Sequence, residues 1–272
     1  HELGSLVRLR RLARARGGAR RREGAELAGW AAHEAGFADI ADTVGCVTEQ
    51  DRSLLAAMTD ASQLVTLPLG TDVDALPTVD PTAAEARLLF VGSFGHGPNV
   101  EGLRAFLRED FPKILRARGD VVLDVVGAGM PPALRAEAEA FGESVVVHGF
   151  VDDLDAVFAR AAVVVVPLVS GGGIKIKVLE AMGRGAAVVS TPIGLEGIDE
   201  DGEATRRVAA SEDFADAVVA LLDDPPARGR LGAAARRWIE ERFDWNSIVE
   251  RLTERVQSSS QARQGGTGRS RP

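Results

Sequence analysis

The stretch VVVVPLVSGGGIKIKVLEAMGRGAAVVSTPIGLEG, residues 163–197, decides the fold that we predict for this chain. Four valines lead into Pro167, a glycine run follows, and a helical segment then precedes a second apolar strand at 186–191. In a parallel α/β sheet, ligands bind beyond the carboxyl ends of the strands, where the next helix presents unpaired N–H groups and a positive dipole end. The stretch therefore predicts an anion-binding unit of strand, glycine loop and helix.

Strands and helices alternate on both sides of this stretch. Further strands are predicted at 88–91, 121–126, 144–148 and near 207–209, and helices at 99–118, 132–141, 153–161, 214–222 and 227–242. Such alternation is typical of a parallel sheet covered by helices on both faces. We therefore predict an α/β fold with a Rossmann-like parallel sheet flanked by helices, together with the remnant of a second, N-terminal α/β domain.

The segment before this sheet has a less regular pattern. We predict a helix to about residue 24 that breaks at Gly17 and Gly18, a helix at 25–41, strands at 43–47 and 63–67, and a helix at 49–58. Prolines and glycines then mark an irregular connection. The predicted organisation is an incomplete N-terminal domain (1–68), a connection (69–86), a ligand-binding domain (87–243), a C-terminal helix (244–256) and a disordered tail (257–272).

Charge and cysteine content exclude several classes of protein. The 272 residues carry a net charge of −8, which argues against a general nucleic-acid binder. Eight arginines nevertheless crowd between Arg8 and Arg22, and either a basic amphipathic helix on an anionic membrane or a solvated helix face explains them. The single cysteine, Cys46, excludes an internal disulfide and fits a buried strand residue.

Several motifs resemble those of family 4 glycosyltransferases, which have the two-domain GT-B fold. These are K-x-LEAM-x-x-G, VVST and G-x-EG within 163–197, together with LPLGTD (67–72), FVGSFGHGPNVEGL (90–103) and VVVHGFVDDL (145–154). The resemblance covers roughly residues 25–250. It implies a chain that lacks most of the N-terminal domain and that begins at His1 for that reason.

The resemblance also implies an activity. It predicts a retaining glycosyltransferase that moves a sugar from a nucleoside-diphosphate-sugar donor to a glycan or glycolipid acceptor of the cell envelope. No cofactor and no metal ion are implied. The expected location is the cytoplasm, with peripheral contact at the inner face of the membrane through the Arg8 to Arg22 segment.

Charged residues near the glycine run are the candidates for chemistry. Lys175 and Lys177 lie in the first turn of the helix that we predict to start near Gly173, where a cation opposes the dipole, so a bound phosphate would explain both. By resemblance, Glu180 matches the family's second motif glutamate, which binds the donor ribose. The alternative for Glu180 is an intrahelical pair with Lys177, which stabilises a helix by about 0.2 to 0.5 kcal/mol.

Two departures from the family pattern affect the site. Gly172 stands where the family's first motif glutamate contacts the sugar, and Ser93 and Asn99 stand where many relatives have a diphosphate-binding arginine and lysine. Lys175 and Lys177 are the candidate substitutes. Donor binding is accordingly predicted for Gly92, Ser93, Gly95, His96, Asn99, Gly171, Gly172, Gly173, Glu180 and Glu196, and catalysis for Lys175, Lys177 and Glu180.

Two other functions remain open at this point. One is a GT-B sugar-nucleotide epimerase. The other is a non-catalytic nucleotide-sugar binding module, or a fragment that is inactive without its missing half. The sequence does not specify the donor base, the sugar, the acceptor or the oligomeric state.

Overall fold

The computed structural model of the chain describes residues 4–41, 43–199, 201–208 and 213–253. The tail predicted at 257–272 lies outside these residues, as do the ends of the strand predicted near 207–209 and of the helix predicted at 244–256. Residues 245–253 are helical.

Two long helices and a small sheet form the N-terminal part. The elements are α1 (Gly4–Arg14), α2 (Gly17–Asp39), β1 (Val44–Cys46), α3 (Glu49–Ala56) and β2 (Leu64–Thr66), with β1 and β2 parallel. The predicted boundary between two helices at residue 25 is wrong, because α2 runs unbroken from Gly17. Its many alanine, arginine and glutamate residues outweigh the cost of about 1 kcal/mol for each internal glycine.

A six-stranded parallel sheet forms the larger part. Its strands are β3 (Arg87–Val91), β4 (Val122–Val126), β5 (Val145–Gly149), β6 (Val163–Val166), β7 (Val188–Ser190) and β8 (Arg206–Arg207), in the order β5-β4-β3-β6-β7-β8. The helices are α4 (Gly97–Ala105), α5 (Phe111–Ala117), α6 (Pro132–Glu139), α7 (Asp155–Phe158), α8 (Ile176–Gly183), α9 (Phe214–Asp223) and α10 (Pro225–Arg242). The predicted α/β fold class is confirmed.

The two faces of this sheet bury separate cores. Along β3, Phe90 points to the face that carries Phe106 and Phe214, whereas Leu89 points to the face that carries Met182 of α8. This alternation follows from the two-residue period of a strand. All five side chains are buried, so both faces hold the strand ends in fixed positions.

A π-helical turn at 106–110 interrupts the single helix that was predicted at 99–118. Pro112 follows it, in the first turn of α5, and proline has no N–H to continue the helical ladder. The turn brings Phe106 and Phe111 into the same core with their ring centroids 5.9 Å apart. Aromatic packing and the missing donor together explain the difference from the prediction.

The connection at 69–86 is held against the larger sheet. The N–H of Thr71 donates to the Phe243 carbonyl at 2.8 Å, and the N–H of Val79 donates to the Arg184 carbonyl at 2.8 Å. Arg228 of α10 donates to the Pro81 carbonyl, also at 2.8 Å. These bonds fix the connection to α8 and α10.

Candidate functional site

The strand order creates a crevice between β3 and β6. The strands are all parallel, but the order in which they follow one another across the sheet reverses there: β4 and β5 lie on one side of β3, whereas β7 and β8 lie beyond β6. The loops that follow β3 and β6 therefore diverge, and open α/β sheets bind ligands at such a point. The two glycine-containing loops singled out in the sequence, 92–97 and 171–173, lie at this position.

Lys177 is the cation that faces both loops. Its Nζ donates to Asn99 Oδ1 at 2.7 Å and lies 4.9 Å from the centroid of the Phe90 ring. Burial, together with the nearby charge of Lys175, lowers the pKa of Lys177 to about 8. No carboxylate among the described residues pairs with this ammonium, which leaves a desolvated cation at the crevice.

Lys175 has a different environment. Helix α8 begins at Ile176, not near Gly173 as predicted, and Lys175 is its N-cap residue. The Nζ of Lys175 donates to the Gly173 carbonyl at 2.6 Å and lies 3.5 Å from Glu196 Oε2. Only 9% of its side chain is exposed. Lys175 is therefore tied to the loop and to a carboxylate, whereas Lys177 is not.

The glycine loop itself presents backbone donors. Gly171 and Gly173 have φ values of +107° and +67°, which are strained for residues with a side chain. Their carbonyls accept from Arg10 and Lys175. Within the described part of the chain, the N–H groups of Gly171, Gly172 and Gly173 make no hydrogen bond. These donors, next to the Lys177 ammonium, are suited to an anion.

Asn99 organises the loop after β3. It is 7% exposed, and its Nδ2 donates to the Ser93 carbonyl at 2.8 Å. A Cβ at Gly92 would lie 2.8 Å from Asn99 Cγ, so the loop requires glycine at this position. Ser93, Gly95 and His96 are exposed around it. Asn99 thus links this loop to Lys177, and the exposed residues line the crevice opening.

Glu180 lies half-buried on α8, and its carboxylate makes no hydrogen bond or ion pair among the described residues. The alternative pairing with Lys177 is not observed. Residues four apart lie on the same helix face, and Arg184 contacts Asp155 at 2.7 Å and the Phe158 ring at 4.8 Å. Glu180 therefore lies on the face of α8 that is directed towards α7.

Phe150 is a candidate that the sequence analysis did not select. It directly follows β5 and is 72% exposed. An exposed ring is unusual at the carboxyl end of a parallel strand, where ligands bind. The available signal was the aromatic residue in HGFVDD, immediately after a predicted strand end.

Glu196 lies apart from the crevice opening. Its carboxylate accepts from Arg10 of α1 and pairs with Lys175, and its side chain is 9% exposed. Beside it lies a cavity of about 600 Å³, which separates α3 from the loop after β7. Arg10, Gln50, Ser53 and Arg207 are among the residues that line this cavity.

Other ionisable groups have structural partners. Asp124 accepts from Arg87 at 2.8 Å and lies 2.7 Å from His148 Nε2 across the strands β3, β4 and β5. Asp153 accepts from the N–H of Asp155 at 2.9 Å, at the start of α7. In the described part of the chain, no group of three or more potential ligands could hold a metal ion.

Comparison with known sequences gives a family match. A sequence model described as "Glycosyl transferases group 1" matches residues 85–224. A phosphatidyl-myo-inositol mannosyltransferase from Mycobacterium leprae is 31% identical over an alignment of 200 residues that covers 70% of this chain and 52% of the relative. A GDP-mannose-dependent alpha-(1-6)-phosphatidylinositol monomannoside mannosyltransferase from Mycobacterium tuberculosis is 30% identical over 254 residues, covering 83% of this chain and 64% of that protein.

Solved structures share the fold. Sucrose-phosphate synthase from Thermosynechococcus elongatus superposes with a TM-score of 0.72 at 21% identity, over 96% of this chain and 67% of its own. Anabaena Alr3699/HepE in complex with UDP and glucose superposes with a TM-score of 0.68 at 16% identity, over 85% of this chain and 67% of its own. The chain spans about half the length of the Mycobacterium leprae relative, 52%.

Proposed function

The chain belongs to the group 1 glycosyl transferases of the GT-B type, and we propose that it binds a nucleoside-diphosphate sugar and transfers the sugar to a glycolipid. The observation that carries this proposal is the Lys177 ammonium, which is half-buried beside two glycine loops and has no carboxylate partner among the described residues. Such a cation is costly unless an anion binds to it. A diphosphate is the anion that donors of this family supply.

The proposed donor position follows the sheet edge from β6 towards β5. The diphosphate contacts Lys177 and the N–H groups of 171–173. The ribose hydroxyls donate to Glu180, whose carboxylate has no other partner among the described residues. The base stacks on Phe150, which is exposed at the end of β5. One nucleotide thus accounts for an exposed ring and for three groups that lack a charged or hydrogen-bonding complement among the described residues: the ammonium without a carboxylate, the glycine amides and the Glu180 carboxylate.

The proposed chemistry is departure of the diphosphate from the sugar. Negative charge develops on the leaving phosphate, and donors that are already oriented towards it stabilise that charge without reorganisation. The Lys177 ammonium and the loop amides fill this role. Transfer with retention is part of the proposal, and it uses no carboxylate of the glycine loop because residue 172 is glycine. The sugar is accordingly held by the backbone of the loop.

The acceptor side is proposed to lie at the cavity between α3 and the loop after β7. Its volume of about 600 Å³ suits a sugar-sized head group. The mannosyltransferase relatives are named for phosphatidylinositol acceptors. We infer an acceptor of this type, a lipid-linked polyol, and GDP-mannose as the first donor to test. The corresponding domain roles are acceptor side for 1–68 and donor binding for 87–243.

Membrane contact is proposed for part of the basic segment. Arg8 pairs with Glu26 at 2.7 Å, and Arg10 reaches Glu196, so these two point into the protein. The exposed arginines of the segment are Arg11, Arg16, Arg20, Arg21 and Arg22. Among the described residues, no helix is long and apolar enough to span a bilayer. The exposed arginines support the location that we propose, which is peripheral contact at the inner face, on the cytoplasmic side.

Nucleotide binding and sugar transfer test the proposal separately. Calorimetric titration with GDP and UDP should give saturable binding that Lys177→Met weakens at least tenfold. Lys113→Met is the matched control, since Lys113 is an exposed lysine paired with Asp213. Transfer from GDP-mannose to phosphatidylinositol in vesicles should require both Lys177 and Glu180. A wild-type chain that binds neither nucleotide would refute the proposal.

The second candidate is a binding module without transfer activity, and the glycine at 172 favours it because no carboxylate approaches the sugar from this loop. The two functions differ in one measurement. Nucleotide binding with no transferred mannose, across lipid and free glycan acceptors, would identify the binding module.

A further inference from the structure

Two side-chain cations hold the glycine loop by its carbonyl groups. Arg10 Nη1 donates to the Gly171 carbonyl at 2.9 Å, and Lys175 Nζ donates to the Gly173 carbonyl at 2.6 Å. A run of three glycines has many accessible conformations, and fixing each residue costs about 1 to 2 kcal/mol in backbone entropy. The loop therefore depends on these two contacts to stay in one conformation.

Both cations converge on one carboxylate. Arg10 Nη2 donates to Glu196 Oε1, and Lys175 Nζ lies 3.5 Å from Glu196 Oε2. Glu196 is 8% exposed as a whole residue, and a carboxylate at that depth requires such partners. Arg10 Nη2 also donates to Gln50 Oε1 at 3.2 Å. The network thus joins α1, α3, the loop after β7 and the glycine loop.

We infer that Arg10 and Glu196 are positioning residues, which form a latch that keeps the glycine loop in its anion-accepting shape. Through this latch, the placement of α1 on the sheet governs nucleotide affinity. Arg10 is therefore part of the site machinery and not of the solvated or membrane-facing arginine set. The effect on nucleotide affinity rests on the proposed function, whereas the effect on loop shape does not.

A direct electrostatic role for Glu196 predicts the opposite change in nucleotide affinity. If its charge acted through space on a bound diphosphate, Glu196→Gln would remove a repulsion and tighten binding. If Glu196 acts by holding Arg10 and Lys175, the same substitution releases the loop and weakens binding. The two explanations therefore predict changes of opposite sign in the nucleotide affinity of Glu196→Gln.

The experiment compares Arg10→Gln, Glu196→Gln and the double variant with wild type and Arg11→Gln. Arg11 is the matched control because it is the next residue of α1 and is exposed. Amide hydrogen exchange of a peptide spanning 168–176 reports loop shape without any ligand. Calorimetric titration with GDP reports affinity. Arg10→Lys retains the charge but cannot reproduce the forked guanidinium contacts, so it should fall between wild type and Arg10→Gln.

The latch predicts that both single variants speed exchange of the loop and weaken GDP binding, each about tenfold, as expected for loss of a charge-assisted hydrogen bond. The double variant should be no worse than the single variants, because they break the same network. Unchanged exchange, or tighter GDP binding in Glu196→Gln, would overturn the inference. If wild type binds neither GDP nor UDP but the exchange results hold, the latch stands and the proposed function fails.

Discussion

Replacing Lys177 by methionine should stabilise the protein while it removes nucleotide binding. Lys177 lies half-buried, and desolvation lowers its pKa from 10.5 to about 8. Methionine has a similar length and no charge to desolvate. The protein therefore keeps a destabilising cation at the crevice, and such costs are common where a group serves function.

The expected change in the free energy of unfolding follows from the pKa of Lys177. The difference between 10.5 and about 8 corresponds to about 3 kcal/mol, at about 1.36 kcal/mol per pH unit. The substitution also leaves Asn99 Oδ1 without its 2.7 Å donor, which costs about 1 kcal/mol. The net gain is about 2 kcal/mol at pH 7, which corresponds to about 4 to 8 °C in Tm for a chain of this size.

The pH dependence gives an independent check. Between about pH 8 and 10.5 the unfolded chain keeps the Lys177 proton and the folded chain releases it. The unfolded state therefore binds more protons, so wild-type stability should rise with pH in this window and Lys177→Met should show no such rise. The chain has no tyrosine and three lysines. The Cys46 thiol, whose pKa burial raises, contributes with the opposite sign, so the contribution of Lys177 is the difference between wild type and Lys177→Met.

Thermal unfolding at pH 7 and pH 9.5, followed by circular dichroism, measures both effects. Lys113→Met is the control and should gain no stability, since Lys113 is exposed and its ion pair with Asp213 raises its pKa. A bound diphosphate would keep Lys177 protonated, so GDP affinity should fall as pH rises above about 8. A lower Tm of Lys177→Met at pH 7, or wild-type stability that does not rise above pH 8, would refute the reasoning.

Three further outcomes are expected. Phe150→Ala should raise the GDP Kd about tenfold, because stacking of a base on a ring is worth about 1 to 3 kcal/mol; Tm should not change, since the ring is 72% exposed. Arg228→Ala should lower the free energy of unfolding, measured in urea, by about 3 kcal/mol, because it leaves buried carbonyls unpaired. Arg230→Ala is the control and should not lower it, since the Arg230 side chain is 72% exposed. Cys46 should react with a thiol reagent only on unfolding, since burial raises its pKa and shields it.

Local patterns were sufficient to predict the larger sheet. The valine run at 163–166, the glycine loop and the apolar strand after α8 each carry their own periodicity, and β6, α8 and β7 lie where this pattern placed them. The start of α8 was missed by three residues because Gly173 and Ile174 take part in the loop that Lys175 closes. Helix boundaries depend on such side-chain contacts, and the helix propensities of single residues do not include them.

Long-range contacts explain why the site was predicted only in part. Arg10 contacts Gly171 and Glu196 across 161 and 186 residues of sequence, and no periodic pattern reports a pairing of that separation. Arg10 was grouped with the other arginines of its helix for this reason. Glu196 was selected for donor binding, and its position under Arg10 and Lys175 could come only from the folded chain. The donor roles of the individual residues stay predictions.

A comparison of Arg228 with Lys177 distinguishes a cation that has a structural role from one for which we propose a functional role. Arg228 is 3% exposed, and its guanidinium donates to the carbonyls of Leu221, Leu222 and Pro81, each at 2.8 Å. Lys177 has three N–H donors, and the described residues offer them one amide oxygen and a ring. Burial alone therefore does not mark a site, since Arg228 is buried more deeply and is satisfied. Lys177 has donors to spare in a crevice where the described residues offer the glycine amides no acceptor, and it is therefore the cation for which we propose a ligand as partner.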